Sequence, residues 1–300
     1  MKTIGVIVNA DKDAELKVSR RLAESVVRAG GRIIMEEGPA SGLHIGETRP
    51  SAEAVVDCSD MVVVLGGDGT FLKAARLLYG KDIPILGINL GNLGFLTEVD
   101  RNGIELAVER IFSGSYAIEE RMMLDASVYK AGKPVVKDVA LNDVVISRGA
   151  ISRLLHVNAY INDLFVDSFP GDGLIISSPT GSTAYSLSAG GPIVEPDADM
   201  MIITPICPHI LYSRSIVTNA GSTVKVVINE GFQHDAMVTV DGQSGHEMGG
   251  GDWVEVKKSA RSIKLARINE RNFFNILRAK IYYRGESLRK DEVQQTRQNS

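Results

Sequence analysis

The first hundred residues alternate between short apolar runs and longer stretches whose apolar positions recur every third or fourth residue. Thr3–Asn9, Arg32–Met35, Met61–Leu65 and Pro84–Asn89 are dominated by apolar residues and read as strands. Asp11–Gly30 sets Leu16, Leu22, Ala23, Val26 and Val27 among charges and ends in Gly30-Gly31, the pattern of an amphipathic helix with a glycine stop. Thr70–Tyr79 and Ile104–Phe112 read as further helices. Strands apolar on both faces and separated by helices predict an α/β domain built on a parallel sheet.

Near residue 120 the period falls to two. Leu124–Tyr129 and Val135–Val139 flank Ala131-Gly132-Lys133, and His156–Phe169 alternates about Asn162-Asp163; both are hairpin signals. Thr223–Asn229, Ala236–Val240, Trp253–Lys257 and Ser262–Ile268 continue the pattern and predict a β-rich, sandwich-like second domain. Helical spacing returns in Asn272–Arg284 through Phe273, Phe274, Ile276, Leu277 and Ile281, and beyond Glu286 the chain is polar and expected to fray. The expected division is an α/β domain over 1–119, a β-rich domain over 120–269, and a terminal helix in 270–300 that packs back on the first domain.

Composition narrows the class. Three hundred residues exceed the size at which one core usually keeps growing, so two domains are the default. A net charge of −4 argues against broad nucleic-acid binding. The longest apolar runs are strand-sized, far short of the roughly 18–20 residues of a membrane helix, and Met1–Asn9 reads as a strand rather than a secretory signal. Cys58 and Cys207 lack C-x-x-C spacing, which fits a reducing, cytoplasmic location. His44, His156, His209, His234 and His246 show no metal-ligand spacing, so no protein metal ligand is assigned among them.

Four segments carry candidate chemistry. In Leu65-Gly66-Gly67-Asp68-Gly69-Thr70 a strand runs through three glycines into a helix, so backbone can approach a phosphate at the carboxyl end of the strand. An acidic residue in such a loop makes sense as a proton acceptor or as an aid to metal placement; the plain alternative is a turn with Asp68 near the helix cap. A second glycine loop, Gly87-Ile88-Asn89-Leu90-Gly91-Asn92-Leu93-Gly94-Phe95-Leu96, follows the next strand. Asn142-Asp143 offers donors and acceptors suited to ribose hydroxyls, or is a strand-end turn. Gly171–Pro192 joins a short apolar strand to a loop dense in Gly, Ser and Thr, where Thr180 or Ser182 can cap a short helix and Tyr185 can stack on a flat ring. Neither G-x-x-x-x-G-K-[ST] nor a clean G-x-G-x-x-G is present, so neither a P-loop nor a dehydrogenase fingerprint is supported.

In this order, the Gly66–Thr70 loop, the Asn142-Asp143 pair and Thr180–Ser188 resemble the NAD kinase family. The match extends through Gly87–Phe95, Thr204-Pro205-Ile206-Cys207-Pro208-His209 and Asp241-Gly242-Gln243. Diacylglycerol kinases, sphingosine kinases and phosphofructokinases share similar first loops; the Asn-Asp pair with Thr180–Ser188 is the more specific part. The resemblance implies a phosphofructokinase- or diacylglycerol-kinase-like α/β domain, a β-rich domain, and phosphoryl transfer from ATP or polyphosphate to the 2′-hydroxyl of the adenosine ribose of NAD, giving NADP. It implies Asp68 as proton acceptor and Gly66, Gly67, Gly69 and Thr70 as the phosphate loop. It also implies Gly69, Lys73, Asn142, Asp143, Arg153, Asp172, Thr183, Ala184, Tyr185, Ser186, Leu187, Ser188 and Gln243 as substrate-binding positions. Mg²⁺ or another divalent cation would accompany the donor, and the chain would form a homodimer or homotetramer. Pro170 stands where many relatives carry Arg, and Ser215 where many carry Pro; His209 is read as structural.

Two rival readings stay open: a lipid kinase that shares the first loop, and a nucleotide-binding sensor without turnover. Glycine makes up 30 of the 300 residues, above the usual fraction of about 7%. Twelve of the 30 fall in the candidate loops, at 66, 67, 69, 87, 91, 94, 171, 173, 181, 190, 191 and 242. With a boundary near residue 120, the expected base lies on one domain and most dinucleotide contacts on the other, which places the expected site in a cleft.

Overall fold

Val, Ile and Leu fill the early strands because both faces of their sheet are covered. The computed structural model describes residues 1–91, 94–149, 154–231, 235–269 and 273–280. They divide into two units. One holds Met1–Phe71, Pro84–Ile118 and the described residues from Ala266 on; the other holds Leu72–Ile83 and Glu119–Leu265.

In the first unit, Ile85–Asn89, Met61–Gly66, Thr3–Val8, Arg32–Glu36 and Glu47–Arg49 lie side by side in that order, all parallel. Strands wind outward to both sides of Thr3–Val8, so the direction of winding switches between Thr3–Val8 and Met61–Gly66. Open α/β sheets bind ligands at the carboxyl ends of strands flanking such a switch. Helices Lys17–Arg28 and Ile104–Ser113 bury Leu22, Ala23, Val26, Ala107, Val108 and Ile111 against Ile4, Val6, Met61, Val63, Leu65, Leu86 and Ile88. Each fully buried aliphatic side chain of this kind contributes about 1.5–3 kcal/mol.

The first helix starts later than its periodicity predicts. Asp13 accepts the backbone N–H of Val18 (3.1 Å) and of Ser19 (2.8 Å), as well as the Ser19 hydroxyl (2.6 Å), while Leu16 is left-handed at φ 53°. The helix therefore begins at Lys17 rather than Asp11. Its glycine stop is present: Gly30 has φ 78°, and the Gly31 N–H reaches Val26 O at 2.9 Å. Residues 273–280 are helical, with Phe273 6.3 Å from the Phe95 ring; the rest of the predicted terminal helix lies outside the described residues.

The second unit is built on two antiparallel sheets. One runs Leu164–Gly171, Leu155–Ile161, Thr223–Ile228, Trp253–Arg267, Ala117–Lys130 and Lys133–Ala140; the other runs Ile216–Asn219, Met200–Ile206, Gly173–Ser177, Asp143–Arg148, Ala236–Val240 and Ser244–Met248. Alternate residues of both sheets, among them Val128, Val144, Ile146, Val157, Ile176, Val226, Val238 and Val254, form one core. Asn162 (φ 51°) and Asp163 (φ 64°) are both left-handed, the backbone a two-residue hairpin needs. Trp253 stacks on Tyr129 at 4.9 Å and 8°, with Lys225 Nζ 4.6 Å from its ring.

Trp253–Lys257 and Ser262–Ile268, expected as two strands, are one strand, Trp253–Arg267. The polar stretch between them makes no turn, because it has no Gly or Pro and its Ser259 is buried against the Tyr79 hydroxyl (2.9 Å). Leu72–Ile83 joins this unit through side-chain bonds. Arg76 donates to Val139 O (2.8 Å) and Asp138 Oδ1 (2.5 Å), and Tyr79 donates to Asp125 Oδ1 (3.0 Å). Among the described residues no helix is long and apolar enough to cross a membrane.

Candidate active site

In the first unit the chemistry gathers at the switch between the two central strands. Asn9 continues Thr3–Val8, its N–H on Leu65 O at 2.8 Å, and Gly66-Gly67 ends the neighbouring strand. The helix Asp68–Leu77 follows at once, with the Thr70 and Phe71 N–H groups both 3.0 Å from Gly67 O.

Asp68 does not cap its own helix. Its carboxylate accepts the Phe95 N–H on Oδ2 (3.0 Å) and the Leu96 N–H on Oδ1 (3.1 Å), so the second glycine loop holds it from outside the helix. Lys280 Nζ lies 3.9 Å from Oδ2, and the Asp68 side chain stays 33% exposed. The holding loop is itself braced. Asn89 Oδ1 takes the Gly91 N–H (3.0 Å), Asn89 Nδ2 donates to Gly91 O (2.8 Å), and the Gly94 N–H reaches Thr97 Oγ1 (3.0 Å). Gly94 leaves room for the carboxylate: a Cβ there would stand 1.8 Å from Asp68 Oδ1.

Lys12, absent from the sequence-based candidates, belongs to the same edge. The Asn9–Asp13 turn, with the Lys12 N–H on Asn9 Oδ1 at 3.1 Å, sets Lys12 Nζ 3.4 Å from where a Cβ on Gly67 would lie. The signal was available: a basic residue just after the first apolar strand, whose end must share an edge with the glycine loop if the strands are parallel. Gly69 and Thr70 open the helix beside the loop, and Lys73 is exposed further along it.

In the second unit Asn142-Asp143 opens the strand Asp143–Arg148 and is held from two sides. From the neighbouring strand, Asp241 accepts the N–H groups of Leu141 (2.8 Å), Asn142 (2.8 Å) and Asp143 (3.1 Å). From the hydroxyl-rich segment, the Ser178 N–H reaches Asn142 O (2.9 Å) and Ser178 Oγ donates to Leu141 O (2.5 Å). Gly181 packs flat on this turn; a Cβ there would meet Asn142 O at 2.1 Å.

Neither Thr180 nor Ser182 supplies the expected cap, since neither short helix of this segment has a side-chain cap; Ser178 Oγ takes the Gly181 N–H at 3.1 Å. The segment folds as a single 3₁₀ turn, Thr180–Thr183, and a short helix, Tyr185–Ser188. Ser182 turns inward to Val194, and Ser186 inward to Thr204 Oγ1 (3.0 Å). Thr183, Ala184, Tyr185, Leu187 and Ser188 remain accessible. Gln243 lies in the turn after Ala236–Val240, its N–H on Val240 O at 2.9 Å. Asp172 accepts the Arg148 Nε–H at 2.6 Å, which sets a cation beside it. The His209 N–H binds Pro170 O at 2.8 Å. Arg153 lies outside the described residues.

Burial and the neighbouring Asp241 push the Asp143 carboxyl up to about 7. Burial also raises Asp241, against three backbone N–H bonds that favour its charged form. The three N–H bonds favour the charged form of Asp241, whereas Asp143, which is buried and next to that charge, is the carboxyl of the pair driven toward its protonated form. A carboxyl whose native pKa is raised gives stability that is complete below its unfolded value near 4 and is lost as pH rises through about 7. Asp143→Asn does not titrate. Its melting temperature relative to the wild-type chain should therefore rise between pH 4.5 and pH 8, by on the order of 5 °C, in paired thermal scans.

The chain matches two family models in succession. Residues 4–116 match the ATP-NAD kinase N-terminal domain, and residues 141–268 match the ATP-NAD kinase C-terminal domain. It is 56% identical over 289 residues to an NAD kinase of Acetivibrio thermocellus, covering 96% of this chain and 100% of that one. It is 49% identical over 286 residues to an NAD kinase of Ruminiclostridium cellulolyticum, covering 95% and 100%. In fold it resembles yeast NADH kinase, solved with NADH, at a TM-score of 0.83 and 24% identity over 93% of this chain and 86% of that one. It also resembles an Archaeoglobus fulgidus NAD kinase, solved with ATP, at 0.75 and 24% over 93% and 98%.

Proposed function

The chain belongs to the NAD kinase family, and we infer that it transfers the terminal phosphoryl group of ATP, or of another phosphoryl donor, to the 2′-hydroxyl of the adenosine ribose of NAD, giving NADP. The observation that carries the mechanism is the Asp68 carboxylate, fixed by the Phe95 and Leu96 N–H groups at the mouth of the glycine loop. The 2′-oxygen forms a bond to the terminal phosphorus, the bond to the leaving phosphate oxygen breaks, and the hydroxyl proton passes to Asp68. Because charge in this transition state spreads over phosphoryl oxygens, most of the acceleration comes from positioning and electrostatics, and the base adds its share.

Each group has a defined task. Gly66, Gly67, Gly69 and Thr70 let donor phosphates approach the backbone, and Lys12 supplies positive charge beside Gly67. Asn142, Asp143, Asp172, Gln243 and Thr183–Ser188 hold the dinucleotide, with Lys73 and Arg153 as further contacts. Within Thr183–Ser188 the Ser186 hydroxyl serves Thr204 rather than a ligand. No three His, Cys, Asp or Glu side chains converge on a cation site among the described residues. Mg²⁺ or another divalent cation would accompany the donor, because Mg²⁺ is commonly held by one or two carboxylates and substrate phosphates. Bound there, it neutralises phosphate charge.

Incubation with ATP, Mg²⁺ and NAD, read by an NADP-specific dehydrogenase, tests the activity. Lipid phosphate without NADP would support a lipid kinase, and NAD binding without product a sensor. Lys12→Ala should raise the KM for ATP about tenfold and leave the KM for NAD within a factor of two; equal changes in both would remove Lys12 from the donor site. The free thiols Cys58 and Cys207 suit a reducing cytoplasm, which localisation of the native protein checks. Exposed Leu211 and Tyr212 suit a homodimer or homotetramer formed through the β-rich unit, and a light-scattering mass of 32.4 kDa would count against it.

A further inference from the structure

We propose that Asp241 is a positioning residue for the dinucleotide site: its carboxylate gathers the N–H groups of Leu141, Asn142 and Asp143 and so fixes the aim of the Asn142 and Asp143 side chains. The proposal rests on the reading of Asn142-Asp143 as dinucleotide contacts.

The geometry is specific. Three successive backbone donors converge on one carboxylate, Leu141 on Oδ2 and Asn142 and Asp143 on Oδ1, at 2.8, 2.8 and 3.1 Å. Asp241 is 6% exposed. Its own N–H returns to Asp143 O at 2.9 Å, closing the arrangement. Val144 pairs with Val240, so Asp241 is the first residue past the paired strand and faces the Asn142-Asp143 turn directly. Its φ of 51° is left-handed, a backbone that aspartate tolerates better than most residues.

A carboxylate is the side chain this turn requires. It offers about four acceptor sites for three donors, whereas an amide offers two on one oxygen and turns its NH₂ toward a remaining N–H. The charge has a second consequence. Beside burial, that charge raises the Asp143 carboxyl, and while Asp143 holds its proton it can both donate to and accept from a bound hydroxyl. Among the described residues, Arg76 acts electrostatically on Asp241, and Asp143 on Tyr185, which also senses Cys207 and Asp172. Ser177 and Ser178, on the adjoining strand end, are uncharged.

The test is Asp241→Asn in the full chain, with KM for NAD and for ATP measured from pH 5.5 to 9. The expected result is a KM for NAD raised at least tenfold with the KM for ATP within twofold. The pH limb of kcat/KM for NAD that belongs to Asp143 should move to lower pH once the like charge is gone. An unchanged KM for NAD, or a lowered melting temperature with an unmoved pH limb and equal changes for both substrates, overturns the proposal. If Asp241→Asn does not fold, Asp241→Glu decides: it keeps the charge on a longer arm, so KM for NAD should rise while the pH limb stays at its wild-type position. An unaltered KM for NAD there also overturns it. Calorimetric titration with NAD reads the same contrast without turnover. A wild-type chain that binds NAD but makes no NADP would therefore sink the kinase reading and still decide Asp241.

Discussion

Asp68→Asn lowers kcat by about 10²–10⁴-fold, the usual contribution of a positioned base, and leaves the affinity for NAD within about twofold. The substitution keeps size and shape but removes the ability to take a proton. It also disturbs the mounting. The carboxylate accepts two N–H groups, from Phe95 and Leu96, while an amide accepts one and points its NH₂ at the other. That loss falls on a partly exposed pair and costs about 1–3 kcal/mol at most. Measuring kcat beside the calorimetric affinity for NAD separates the two effects, because a base matters to turnover and not to binding. Near-normal turnover with normal binding would remove Asp68 from the chemistry.

Gly94→Ala should be almost as damaging, although residue 94 has no functional group. A Cβ at this position would stand 1.8 Å from Asp68 Oδ1, 2.6 Å from Cγ and 2.9 Å from Oδ2. None of these contacts can exist, so either the carboxylate or the loop must move. The loop is tied by the Gly94 N–H to Thr97 Oγ1 at 3.0 Å, which leaves the carboxylate as the part that yields. A displacement of about 1 Å in a reacting group can cost on the order of 10²-fold in rate, and the required shift here is at least that. Gly91→Ala is the control, since nothing lies within 4 Å of a Cβ there. The expected pattern is a kcat reduced about 10²-fold or more in Gly94→Ala, near-wild-type in Gly91→Ala, with KM for NAD little altered in both. Full activity in Gly94→Ala would mean that the observed carboxylate position is not the working one.

What the sequence made legible follows from which interactions are local. The parallel sheet could be read because coverage on both faces forces runs such as Met61–Leu65 to be wholly apolar. The hairpin at Asn162-Asp163 could be read because its left-handed backbone selects those residues. Ile216–Asn219 and Ser244–Met248 could not, because they lie at the two edges of their sheet and expose much of their length. The glycine loops announced themselves as places of close approach. The inward turn of Ser186 did not, because a four-residue helix is too short to show a period. Asp241 escaped notice as a support for Asn142 because the two are 99 positions apart and become neighbours only through antiparallel pairing. Asp13 had the same effect in small: a single buried carboxylate reset the start of a helix that periodicity alone places earlier.

The Trp253–Tyr129 stack has a practical consequence. Trp253 is the only tryptophan of the chain, and it lies in the second unit, with an aromatic ring on one side and the Lys225 ammonium near its face. Its fluorescence emission is therefore a built-in reporter of the two-sheet unit and is blind to the parallel-sheet unit. A denaturation curve followed by that emission is the curve of one unit, whereas far-ultraviolet circular dichroism sums both. If the two curves coincide, the units melt as one cooperative body; if they part, the protein carries two separate stabilities, and the optical signal alone has been measuring only one of them.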